Sequence, residues 1–98
     1  MLFLATWEFT DTSEEGVERS LAVFANWKPP AGVEFKGFYG YADQSGGCAI
    51  VEAPDAVAIS KTTAPFIPWM VFTIRPIVTA EESAQIAGEA VAFWKSVQ

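Results

Sequence analysis

Four short segments of this chain are apolar on both faces of the strand each would form, and this restricts its folds more than any other feature. The segments are "LFLATWEF" (2–9), "VEFKGFYGYA" (33–42), "GCAIVEA" (47–53) and "PWMVFTIR" (68–75). Alternate side chains of a strand point to opposite faces. An antiparallel sheet with one wet face therefore alternates apolar with polar. One parity here holds Phe3, Ala5, Trp7 and Phe9, then Phe38 and Gly40, then Ala49, Val51 and Ala53, then Met70, Phe72 and Ile74. That set is almost wholly apolar and belongs against helices. The other holds Leu2, Leu4, Thr6 and Glu8, then Val33, Phe35, Tyr39 and Tyr41, then Cys48, Ile50 and Glu52, then Trp69, Val71, Thr73 and Arg75. Its ends are polar and its middle is too apolar for water. A second copy stacked face to face would cover it, two-fold dimers being the commonest assembly, and such a face can supply the roughly 800 Å² per partner of a standard interface.

Helix signals separate these strands. Thr12 with Glu15 three residues later has the spacing of a capping box, and Val17, Leu21, Phe24 and Lys28 follow on one stripe. "KPPAG" stops that helix. "DQSG" reads as the hairpin loop between the second and third strands. Pro54 suits the first position of a short second helix, with Asp55 near its positive end, and that helix finishes before Pro65. Thr79 and Glu82 repeat the capping-box spacing. The last helix gathers Ile86, Ala87, Ala90, Val91, Phe93, Trp94 and Val97 on one broad face. The order β-α-β-β-α-β plus a C-terminal helix is the ferredoxin-like split βαβ pattern. Right-handed crossovers make it an α+β fold with a four-stranded antiparallel sheet in order 4-1-3-2. The 98 residues make a single ferredoxin-like domain, 1–98.

Composition excludes several classes of function. The formal charge is −6 and the isoelectric point near 4.4. Six cations without a basic stripe disfavour nucleic acid, whose binding rests on Lys and Arg against phosphate, and anionic membranes. No stretch reaches the ~18 apolar residues of a membrane span. "MLFLATWEF" lacks the basic start of a signal peptide. The single cysteine, Cys48, has no internal partner, so a reducing, cytoplasmic setting is expected.

"KGFYGYA" (36–42) has the look of an RNA-stacking strand. Stacking rings must share a face and sit two apart. The place two after Phe38 is Gly40, and Tyr39 and Tyr41 fall on the opposite parity. The run is also the second strand rather than the third, so RNA binding is not expected.

There is no histidine, which removes Ser-His-Asp hydrolysis and histidine ligation of metals. Ser45 in "DQSGG" therefore lacks a base and reads as a turn residue. Cys48 reads as a small core residue. The pairs Glu14–Glu15 and Glu81–Glu82 read as helix-dipole partners rather than metal ligands. No cofactor or metal is expected. On the doubly apolar face, Glu8 lies near Tyr41, Cys48 and Trp69 in the expected sheet. A carboxylate beside rings can be a base, which makes Glu8 the candidate catalytic residue and these four the candidate ligand-binding set. The plainer account is a rim carboxylate, solvated or bonded to Tyr41.

The opening "MLFLATWEF", the hairpin "PPAGVEFKGFYGYADQSGGCAIVEA" and the stretch "WMVFTIRPIVTAEE" resemble the bacterial domain of unknown function 3303 family. The likeness rests on Thr6–Trp7 in the first strand, Val51–Glu52 at a strand end and Arg75–Pro76–Ile77 after the last strand. It implies a ferredoxin-like fold similar to dimeric α/β-barrel proteins, and it brings no catalytic residues. The segment "DAVAISKTTAPF" departs from the Trp-containing helix of that pattern. The expected function is thus a homodimer that binds a small apolar molecule or serves as an accessory module. The alternative is a cofactor-free monooxygenase- or isomerase-like enzyme with Glu8 as base.

Overall fold

β1 (Leu2–Phe9) is built from apolar and β-favouring residues and becomes an inner strand of the sheet, paired on both sides. The computed structural model describes residues 1–97. After β1 come α1 (Glu14–Ala25), β2 (Glu34–Gly40), β3 (Gly46–Glu52), α2 (Ala56–Thr63), a 3₁₀ turn at Ala64–Phe66, β4 (Met70–Ile77) and α3 (Ala80–Ser96). The four strands make one antiparallel open sheet in the order β2-β3-β1-β4. This is the expected order read from the other edge. Pro76 is tolerated in β4 because that strand pairs only with β1 and its outer side needs no donor.

The helix-facing parity is the predicted one. Phe3, Ala5, Ala49, Val51 and Ala53 are buried with Ala58 and Ile59 of α2. Two assignments on β2 fail for a local reason. Phe35 pairs with Val51 while Gly37 pairs with Ile50, so Lys36 is an extra residue in a bulge. The bulge turns Phe35 to the helix side, where it stacks on Phe38 at 4.8 Å between ring centroids. Val33 likewise packs against the core rather than facing away from it.

The helix ends depart from expectation in ways that simple hydrogen bonding explains. Asp11 accepts from both the Ser13 amide (3.0 Å) and the Ser13 hydroxyl (2.6 Å). Ser13, not Thr12, is thereby fixed as the cap of α1 and accepts from the Gly16 amide. Glu15 then falls one place short of the box position. Gly16 leaves room for the Asp11 carboxylate, which a Cβ there would displace. α1 stops at Ala25, so Lys28 is not on its stripe. α2 begins at Ala56 rather than Pro54, and Asp55 is its cap, accepting from the Ala58 amide at 2.9 Å. The Thr79–Glu82 box of α3 forms in both directions.

α3 is the exception to the layered arrangement. None of its described residues is buried, and no other element packs closely against it. Ile86, Phe93, Trp94 and Val97 are 58–65% exposed. The radius of gyration is 17.7 Å, against about 13 Å for a compact chain of this length. The accessible surface is 7020 Å², where about 5,500 Å² is usual for this mass.

Candidate functional site

The helix side of the sheet carries a band of aromatic residues. On β1, Trp7 lies opposite Phe72 of β4 and Gly47 of β3. Its indole lies across β3 at a place where only glycine fits, since a Cβ on Gly47 would meet the ring and the Tyr39 carbonyl. Trp7 meets Phe38 edge-on at 5.7 Å and Phe72 at 6.3 Å. From above, Phe24 of α1 contacts Phe38 at 5.9 Å and Trp27 at 6.2 Å, and Trp27 meets Phe66 at 5.4 Å.

These rings surround space rather than fill it. α1 buries only Gly16, and its stripe of Val17, Leu21 and Phe24 stays 44–62% exposed above the sheet. Between them lies a cavity of ≈ 800 Å³, within the range of small-molecule sites. Small residues lower its floor: Ala5, Gly40 and Ala49 line it on the helix-facing parity. Its deep wall is formed by Val51, Ile59 and Phe66.

The polar lining divides into spent and available groups. The Ser20, Thr62 and Thr63 hydroxyls donate to carbonyls of their own helices. Asp11, Thr12, Tyr41 and Gln44 lie where β1 ends and the hairpin turns. The Phe9 amide bonds to the Ser45 carbonyl there, at 3.0 Å. Asp11 is the one charged residue among the lining residues. The side-chain and then the backbone hydrogen bond from Ser13 hold its carboxyl below the usual carboxylate range, so it is ionised at neutral pH.

The four residues singled out from sequence separate into two groups. Glu8 and Cys48 do share the face away from the helices, as diagonal neighbours: Glu8 pairs with Gly46, and Cys48 with Thr6. Tyr41 does not join them. β2 ends at Gly40, the Tyr41 amide bonds back to the Gly46 carbonyl at 2.9 Å, and the residue lines the cavity on the helix side. Trp69 precedes β4, its carbonyl accepting from the Thr10 amide at 2.8 Å, and it does not line the cavity. The open face holds a dent of ≈ 160 Å³ among Leu4, Thr6, Thr73 and Arg75.

Sequence reasoning missed the cavity and with it Asp11, Gln44, Trp27 and Phe66. The available signal was the run of small residues on a parity otherwise holding Phe and Trp. Opposed to a helix, that pattern leaves volume. Among the described residues, no group of three or more His, Cys, Asp or Glu is placed to hold a metal ion, and no helix is long and apolar enough to cross a membrane.

The family described as Domain of unknown function (DUF3303) matches residues 1–91, and the chain belongs to it. No curated protein matches the chain.

Proposed function

We propose that this member of the family is a ferredoxin-like homodimer, of the dimeric α/β-barrel kind, that binds a small apolar molecule in the helix-side cavity. The observation that carries this is the ≈ 800 Å³ space walled by Trp7, Phe24, Trp27, Phe38, Phe66 and Phe72. A concave, mostly apolar space of this size with a few polar groups at its edge is what a small-molecule site requires. Saturable change in tryptophan fluorescence on adding a neutral arylalkanol tests it. The Ala49→Leu variant, which raises the cavity floor, is expected to lose that response while keeping its far-ultraviolet circular dichroism. No response from the unaltered chain overturns the reading.

The dimer is supported by surface arithmetic. The excess of about 1,500 Å² over a compact chain of this mass is roughly twice the ~800 Å² that each partner gives to a standard interface. Tyr39 and Val71 on the open face are 62% and 58% exposed, and the apolar arc of α3 is equally bare. A second copy that covers the open face would enclose Glu8, Cys48 and Trp69, the setting in which Glu8 would act as a base in the enzymatic alternative. Light scattering that shows a monomer at micromolar concentration rules this assembly out. A single domain in a reducing, cytoplasmic setting fits the unpaired Cys48.

A further inference from the structure

We infer that the cavity selects by charge, taking organic cations whose apolar body carries an amine or ammonium head and rejecting carboxylates and phosphates. The inference rests on the ligand-binding reading above and adds the chemistry of the ligand. Three observations point the same way. First, Asp11 is the sole charged residue among the lining residues, and no Lys or Arg joins it. An anionic guest would therefore lose its hydration without gaining a cationic partner.

Second, the one feature able to attract an anion is already occupied. The positive end of α1 opens near the cavity mouth, but the Asp11 carboxylate sits there. Its Oδ1 takes both Ser13 bonds and its side chain contacts the space a Gly16 Cβ would need. Oδ2 makes no hydrogen bond within the described residues and remains free to accept from a guest.

Third, the polar lining groups not spent on their own helices gather at one end, and buried apolar residues lie at the other. Asp11, Tyr41 and Gln44 mark the mouth, while Ala5, Val51 and Phe66 form the interior. A guest with one head and one apolar body has a single way to enter. A chain of charge −6 also draws cations toward it.

Three probes that share one body separate the possibilities: phenylbutylamine, phenylbutanol and phenylbutyrate, titrated at neutral pH against tryptophan fluorescence and by calorimetry. The amine is expected to bind about fivefold more tightly than the alcohol, the scale of a partly exposed ion pair, and the acid more weakly than either. In Asp11→Asn, whose amide oxygen can still accept from Ser13, the amine is expected to lose its advantage over the alcohol. Raised salt should weaken the amine alone. Circular dichroism checks that the variant folds. If it does not, the salt dependence of the unaltered chain decides. Equal binding of amine and alcohol, or tighter binding of the acid, overturns the charge selection and leaves the cavity reading standing. Binding of none of the three overturns both.

Discussion

α2 and α3 make an instructive pair. α2 has eight residues and buries Ala58, Ile59 and Thr62 against the sheet. α3 has seventeen, a stronger cap and a broader apolar arc, and none of its described residues is buried. Length, capping and amphipathicity thus say that a helix can form and that one face wants cover. They do not say where the cover comes from. α2 is anchored because β3 delivers it directly over Val51 and Ala53, whereas α3 leaves the edge strand β4 with no sheet beneath it.

The sharpest way to break this comparison is a matched pair of truncations. Ile59→Ala is expected to cost about 2–5 kcal/mol in urea unfolding, as buried aliphatic truncations do. Ile86→Ala, measured where the chain is monomeric, is expected to stay within about 0.5 kcal/mol of the parent. Equal losses would mean that α3 packs on its own sheet after all. Next in size is Gly47→Ala, which drives a methyl into the Trp7 ring. A loss of about 1–3 kcal/mol is expected, together with altered tryptophan fluorescence as Trp7 leaves Phe38.

The caps give a finer contrast. Asp55→Ala should lower global stability by about 1 kcal/mol, because α2 unfolds with the core. Thr79→Ala should reduce helical ellipticity without moving the urea midpoint, because α3 frays independently of the sheet. The smallest effect concerns acid. The Asp11 carboxyl is held below its usual range by Ser13, so the folded state binds its proton less readily than the unfolded chain does. The stability it lends is present above the ordinary carboxylate pKa and is lost as pH falls through the lowered folded value. Asp11→Asn should therefore flatten the acid limb of the stability profile slightly.

Much of the fold was legible because its signals are local and periodic. β1 runs from Leu2 to Phe9, as its composition indicates, and the Thr79–Glu82 box forms as spaced. The helix-facing parity of β1, β3 and β4 could be read from alternation alone. β2 could not, because a single inserted residue, Lys36, reverses the alternation on one side of it, and no residue type announces a bulge. The site was less legible for a related reason. Tyr41 was placed by extending the β2 alternation past Gly40, where the hairpin takes over. The cavity is a property of volume, set by Ala5, Gly40 and Ala49 across three strands at once, and a linear reading of each strand does not sum it.

The two rims of the sheet have a consequence for how copies of this chain can meet. β4 ends its outer row of amides with Pro76, and β2 breaks its row at the Lys36 bulge, so neither rim offers an uninterrupted template for another strand. Growth by adding strand to strand, the route to fibrils, is obstructed on both sides.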